Sequence, residues 1–473
     1  MTEEVKKPMQ AMLFLDDWMV ERRTCLERVW GKPRYVKELF TDFHPQVLGY
    51  GGYFSVFYDQ QLGRYVMYLA VYPPEADPGT FVVRLQSDDP CSWPDPVYES
   101  GSTPAWTGFK DVLLKEDGER FWPTVVRSLA GTPAQQAGYL ATCINPERQA
   151  GNSLSGRSDD GLHFRLDREH PWQDIRSDTW SGVVWNERAG LYQIFTRPAC
   201  ADRRVAIITT ADLEHFSPAM TVLQPDAQDR PGTEMYSMPT FSYQDLYIGL
   251  LHIMLPDTFS DCRIKMQGRM ETELAYSYNG FNWYRTVREP FIGVRDYGLQ
   301  GGGQVYAMQA LRSQDDRLLF YVHASKGEHA AYPDMQKAGI STTGYFGPLL
   351  YDMRLDGFCS LKTSGKDGLL RTKAIIPRTG EMSINVRTAE HTAIRVQLLD
   401  GDTAQPISGY TWEEALPISG DHLFARPRWR EREDLAELAG RPIRIEIAMR
   451  EAELFAIRVE GQVFVGHTPA ETL

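Results

Sequence analysis

A seven-residue pattern recurs along this chain, and it limits the fold more than any other feature. Its clearest copy is Ser158-Asp159-Asp160-Gly161-Leu162-His163-Phe164. Further copies are Ser87-Asp88-Asp89-Pro90-Cys91-Ser92-Trp93, Thr210-Ala211-Asp212-Leu213-Glu214-His215-Phe216 and Ser277-Tyr278-Asn279-Gly280-Phe281-Asn282-Trp283. A fifth, Arg354-Leu355-Asp356-Gly357-Phe358-Cys359-Ser360, keeps the Asp-Gly but not the closing aromatic. Each reads as a strand end, an Asx-type turn and an aromatic that packs back onto the strand. The first residues of successive copies lie 71, 52, 67 and 77 positions apart. That spacing is too uneven for a solenoid and suits blades of four strands with insertions, closed into a ring.

The expected fold class is all-β: a five-bladed β-propeller followed by a C-terminal β-sandwich. Residues 1–48 form a leader with one apolar strand (12–15) and an Asp16-Asp17 turn or cap, expected to pack across the ring or to complete its last blade. Residues 49–362 form the propeller. Its blades begin with strand pairs 54–58 and 65–69, 112–114 and 121–122, 183–185 and 192–195, 240–243 and 247–251, and 304–308 and 318–322. Near-continuous apolar runs suit strands buried on both faces. Segments 131–156 and 324–347, rich in Gly, Ala, Gln and Ser, read as long insertions bordering a site. From 363 to 473 the strands alternate cleanly, as in 382–387, 393–398, 443–447 and 454–459, which is the pattern of a β-sandwich.

A net charge of -13 argues against nucleic acid or an anionic membrane as the main partner, since both need a basic face. The longest apolar run, 246–256, contains His252 and is far short of the ~20 residues of a spanning helix. With no signal-peptide pattern at the N-terminus, the expected location is the cytoplasm. Cysteines 25, 91, 143, 200, 262 and 359 have no metal or disulfide spacing, so reduced thiols are expected and neither metal nor cofactor is implied. Self-association into a homo-oligomer is left open.

In a propeller, the residues just before the innermost strands converge on an axial funnel. The blades align on the aromatic after their first turn, at Tyr65, Phe121, Tyr192 and Tyr247, with Leu318 in the fifth. Fourteen positions upstream stand Gly51 and Asp178; Glu234 stands thirteen upstream and Asp111 ten. Carboxylates facing one pocket suit glycoside chemistry, where one protonates the leaving oxygen and another activates water or attacks carbon. On this reading Glu234 is the general acid, Asp178 the base or nucleophile and Asp111 an orienting group. Tyr50, Trp180, Tyr236 and Tyr297 are candidates to stack on a sugar, and Arg197, His252 and Gln300 to bind its hydroxyls. Gly301-Gly302-Gly303 lacks a P-loop lysine and reads as a close backbone approach.

These turns, together with Glu234-Met235-Tyr236, Arg288-Glu289-Pro290-Phe291 and Leu355-Asp356-Gly357-Phe358, resemble glycoside hydrolase families 32, 43 and 68. The resemblance implies a five-bladed propeller glycosidase, often with a trailing β-sandwich, and Asp111, Asp178 and Glu234 are the positions that match the Asp, Asp, Glu order of those families. The chain lacks Asn-Asp-Pro-Asn-Gly, Arg-Asp-Pro and Glu-Cys, so a fructan substrate is not implied. Family 130 shares the propeller, which makes phosphate-dependent phosphorolysis the nearest alternative to hydrolysis. A non-catalytic carbohydrate-binding propeller is the alternative from a different class.

Overall fold

The computed structural model describes residues 10–45, 47–73, 79–99, 108–147, 150–200, 202–256, 267–339 and 341–463. The chain divides into two compact units, Pro33–Asp352 and a second made of Met1–Lys32 with Met353–Leu473. The division therefore falls ten residues before the expected 362, and the leader is split between the units. The strands Gln10–Leu13, Val20–Thr24 and Leu26–Trp30 pair with strands of the C-terminal unit.

Unit 33–352 is a succession of antiparallel meanders. The first is Gly49–Asp59, Arg64–Tyr72 and Phe81–Ser87; the second Val125–Ser128, Tyr139–Ile144, Ser153–Ser158 and His163–Asp167; the third Val183–Asn186, Leu191–Thr196, Val205–Thr210 and Met220–Leu223. The fourth is Glu234–Ser237 and Thr240–Tyr243 on Leu246–Pro256, then Gly268–Ser277 and Tyr284–Arg285; the fifth is Gln304–Arg312, Arg317–Ser325 and Leu349–Arg354. Arg34–Glu38 supplies the outer strand of the fifth, pairing antiparallel with residues 349–352. Phe346 ties the fifth meander to the first, accepting from the Tyr50 amide at 3.1 Å and donating to the Leu48 carbonyl at 3.1 Å. The innermost strands touch in turn: 49–59 meets 125–128 and 304–312, and 240–243 meets 183–186 and 304–312. The arrangement is of the β-propeller type. One apolar core runs through it, including Val56 and Met67, Val125, Val184, Leu251 and Met308, one or two residues from each blade.

The recurring turns close the third strand of each of the first four blades, and in blades two, three and four their chemistry is the same; in blade one Pro90 has no amide to give and Asp89 Oδ1 accepts from one amide, that of Cys91, at 2.9 Å. In the second blade the Gly161 amide donates to Ser158 Oγ at 2.9 Å, and the Leu162 and His163 amides donate to Asp160 Oδ1 at 2.8 Å. Asp212 and Asn279 do the same for the amides of Glu214 and His215 and of Phe281 and Asn282, at 2.8 to 2.9 Å. The Ser/Thr and Asx side chains satisfy turn amides that no strand partner can reach. The closing indoles reach back as expected: Trp93 Nε1 donates to Pro90 O at 3.0 Å and Trp283 Nε1 to Gly280 O at 3.1 Å.

Blade two differs from its sequence reading. Its innermost strand is 125–128 and its second is 139–144, inside the stretch expected to be an insertion. Residues 112–114 instead run along the outer edge: Val112 bridges Val83, and Leu114–Lys115 pairs parallel with His163–Phe164. Segment 324–347 carries the single α-helix among the described residues, Tyr332–Lys337.

In the second unit one set of strands, with Ile394–Asp400, Ile443–Met449, Gly368–Thr372 and Val20–Thr24, is joined through the long strand Ile375–Thr388 to another set. That set contains Ala452–Val463, Cys359–Thr363, Leu26–Trp30 and Asp421–Ala425. Leu398, Ile445 and Ile447 from the first set and Ile384, Leu454 and Ile457 from the second share one core. The fifth turn copy lies here. Asp356 is fully buried and bonds both Arg458 and Asn385, the latter at 2.9 Å, so it acts as a core ion-pair partner as well as a turn residue.

Among the described residues no helix is long and apolar enough to cross a membrane, and the 246–256 run is a strand of blade four. Cys25, Cys91, Cys143, Cys200 and Cys359 are free thiols; Cys262 lies outside the described residues.

Candidate active site

Asp178 stands in the loop entering blade three, and Glu234 opens the first strand of blade four. Each is held by an arginine from blade three. Arg197, just past the end of 191–196, donates from Nη1 to Asp178 Oδ1 at 2.7 Å. Arg203, just before 205–210, pairs with Glu234. Both guanidinium groups lie over the ring of Tyr236, at 5.1 and 5.4 Å from its centre. Arg197 Nη2 also donates to the Tyr236 carbonyl at 3.2 Å, and Thr179 Oγ1 donates to the same oxygen at 2.8 Å. The two carboxylates of consecutive blades are thereby gathered around one tyrosine.

The environments of the two acids differ. The Asp178 side chain is 57% exposed, whereas that of Glu234 is 7% exposed. Around them, the Tyr236 hydroxyl shares a hydrogen bond of 3.1 Å with His329 Nε2, supplied by the 324–347 segment. Tyr53 of blade one lies against Tyr236 and Asp178. Burial first, then those two neighbours, push its phenol well above the ordinary range, so it stays a hydrogen-bond donor at neutral pH.

A cavity of about 790 Å³ opens beside this cluster, walled by Tyr72, Phe121, Trp122, Arg176, Tyr332 and Phe346 among others. Tyr72 links it to the cluster, since Tyr236 and Tyr332 are both among its neighbours. Asp178 and Glu234 themselves are not part of its walls.

The other candidate residues are placed differently. Asp111 does not precede an innermost strand. It sits exposed at the outer edge with φ 51°, its carbonyl accepting from the Arg84 amide at 2.9 Å, because 112–114 is an edge segment. Tyr50 is buried against Phe40, Phe43 and Phe109, and Trp180 is 1% exposed, so neither offers a ring face to a ligand. His252 is enclosed between Ser237 Oγ at 2.7 Å and the Ala307 carbonyl at 2.9 Å, and burial draws its imidazole down to about 4. Gln300 is buried and donates to the Ala324 and Tyr345 carbonyls at 2.8 and 3.1 Å, which fixes the loop before blade five. Tyr297 is 89% exposed. Gly303 makes the close approach read from the glycine triplet: a Cβ there would stand 2.0 Å from the Gly327 carbonyl carbon. Arg288 pairs with Asp226 and Asp229, and Phe291 packs edge-on against Phe320, so that motif is structural. Among the described residues no His, Cys, Asp and Glu gather as a metal site.

Three members of the cluster escape the sequence reading: Arg203, His329 and Tyr53. Tyr53 had a signal, since it stands two residues after Gly51, which the blade alignment itself marks as a rim position.

Unit 33–352 is of the β-propeller type, and the chain is similar at low identity to several solved structures. A structure titled glycoside hydrolase is 12% identical, with 69% of this chain and 94% of that one covered and a TM-score of 0.45. A fructofuranosidase from Schwanniomyces occidentalis complexed with fructosylnystose is 11% identical, covering 92% and 98%, with a TM-score of 0.43. A structure from the family 130 mannoside phosphorylases, described as containing hydrolases that target β-1,2 mannosidic linkages in Candida mannan, is 11% identical, covering 72% and 96%, with a TM-score of 0.44. No protein-family model matches the chain, and no curated protein does.

Proposed function

We propose that the chain is a glycoside hydrolase in which Asp178 and Glu234 carry the reaction on a small oligosaccharide or glycoside. The observation that supports this is their convergence on Tyr236, each carboxylate with its own arginine. A glycosidase needs two carboxyl groups on opposite sides of one bond, and rigid strand ends hold side chains with the required precision. Asp178, the more exposed, is suited to receive water or the anomeric carbon. Glu234, the more enclosed, is suited to the leaving oxygen once substrate displaces Arg203. Tyr53 and Tyr236 supply phenol groups for sugar hydroxyls, and the adjoining cavity has the aromatic walls and the size for further rings. In layout this is closest to families 32 and 43; the companion unit is a β-sandwich and the setting cytoplasmic, with carbohydrate rather than nucleic acid or membrane as partner.

One observation favours phosphorolysis as a second reading. Arg197, Arg203 and His329 gather beside Glu234, the kind of set that binds phosphate. Turnover of an aryl glycoside panel with and without inorganic phosphate separates the two. Hydrolysis is expected to proceed equally without phosphate. Release that requires phosphate and yields a sugar 1-phosphate would establish the phosphorylase reading instead.

A further inference from the structure

The cavity of about 790 Å³ beside the carboxylates is lined mainly by cations where it is charged, although the chain as a whole has a net charge of -13. Among the described residues its charged walls are Lys115, Glu119, Arg120 and Arg176. Lys115 Nζ is held between Glu119 at 2.8 Å and Asp117 at 2.9 Å, which settles that cation locally. Two guanidinium groups remain, one on the approach to blade two and one in the loop entering blade three.

Arg120 is half-buried, with its guanidinium carbon 4.5 Å from the ring centre of Phe81. Burial draws the group below its ordinary range, as for a cation partly removed from water. Stacking on a ring occupies none of a guanidinium's N–H donors and fixes its plane, which suits it to a planar or tetrahedral oxyanion. Arg176 stands two residues before Asp178. From Arg176 to Thr179 burial alternates exposed, buried, exposed, buried, as along an extended chain, so the Arg176 and Asp178 side chains leave the same side of the loop. Two residues of extended chain span about 7 Å, which places Arg176 roughly one sugar ring from the acid. Trp122 completes the lining. At 39% exposed it is the one tryptophan more than a third exposed among the described residues of unit 33–352, and its open indole offers a flat face on which a pyranose can stack.

We propose that this cavity is a subsite for an acidic sugar, next to the scissile bond: Arg120 and Arg176 bind the carboxylate or sulfate of the ring, and Trp122 lies under its face. Resting on the hydrolase reading, this narrows the substrate to an oligosaccharide that contains a hexuronate or a sulfated sugar. Arginine gives such a group charge-assisted, bidentate hydrogen bonds that the hydroxyl of a neutral hexose cannot match.

Calorimetry on the full chain measures binding of a panel of anionic oligosaccharides, each beside its neutral counterpart. The panel holds oligogalacturonides and glucuronoxylan fragments with their carboxyl-reduced forms, and carrageenan fragments with their desulfated forms. The expected result is that at least one anionic member binds about tenfold tighter than its counterpart, by a margin that shrinks as salt is raised. Preference within the uronate pairs or within the sulfate pairs identifies the charged group. Arg176→Gln, at an exposed position that tolerates substitution, should lose most of the margin, and Trp122→Ala should weaken both members of the preferred pair alike. No binding, equal affinity within every pair, or a margin undiminished in both Arg176→Gln and Arg120→Gln overturns the subsite. Turnover keeps the two readings apart. Cleavage of neutral aryl glycosides without any preference for charge rejects the subsite and leaves the hydrolase standing, whereas charge-selective binding without cleavage of any member does the reverse.

Discussion

Arg197 and Arg203 lie over the same ring, 5.1 and 5.4 Å from the centre of Tyr236, and each holds a different carboxylate. One tyrosine thus sets the positions of Asp178 and Glu234 together. A cation over an aromatic face gains about 0.5–1 kcal/mol when exposed and more when dry, so the ring helps to keep both guanidinium groups in place.

The two ion pairs should respond differently to removal of the acid. Asp178 is more than half exposed, so Asp178→Asn should change stability by less than about 1 kcal/mol. Glu234→Ala removes the carboxylate paired with the enclosed Arg203 guanidinium and should cost about 3–5 kcal/mol. Denaturant unfolding of the two variants checks this. Equal losses would mean that the enclosure of Glu234 does not matter.

Acid should destabilise the propeller through its buried histidines. Burial draws His252 down to about 4, and burial with neighbouring His252 and His329 draws His323 down to about 3. Both ordinarily titrate near 6.5, so between that value and the depressed ones the unfolded chain binds more protons than the folded one. Stability is therefore complete above pH 6.5 and falls as the pH drops towards 4 and then 3, by about 3 kcal/mol for His252 alone. His252→Gln should flatten the slope of melting temperature against pH between 6.5 and 4. An unchanged slope would show that His252 is not buried in its neutral form.

Two turn glycines separate backbone strain from crowding. Gly190 and Gly280 have φ of 64° and 78°. A Cβ at Gly190 meets nothing within 4 Å, whereas at Gly280 it stands 2.4 Å from Gln193 Oε1 and 2.8 Å from Asn186 Nδ2. Gly190→Ala should cost about 1–2 kcal/mol from the left-handed backbone. Gly280→Ala should add about 1–3 kcal/mol by forcing apart the buried pair that receives this turn. Comparable melting temperatures for the two variants would contradict the packing of the repeat turn against blade three.

The repeat turns could be read from the sequence because their hydrogen bonds are local: Ser158 and Asp160 bond amides within three residues of themselves. Blades one, three, four and five could be read because their strands are apolar runs such as 246–256. Blade two misled because Val112-Leu113-Leu114 before Asp117-Gly118 imitates a hairpin. The true inner strand is only four residues long and is separated from its partner by ten. The role of Asp356 depends on Arg458, a contact more than a hundred residues away that no spacing reveals. Asp178, Glu234, Arg197 and Tyr236 stand where blade register and strand position mark candidates in the sequence. Arg203 and His329 do not, since one precedes a third strand and the other lies in an irregular segment, where no register applies.

On the proposed function, Asp178 and Glu234 together carry glycoside turnover. The direct measurement is the rate of aryl glycoside cleavage by wild type, Asp178→Asn and Glu234→Gln, with folding of each verified by near-UV circular dichroism. Cleavage by the wild type is expected, with a loss of about 10²–10⁴-fold in each variant and substrate binding retained. Full activity in either variant, or a folded wild type that binds sugar and never turns it over, would contradict it.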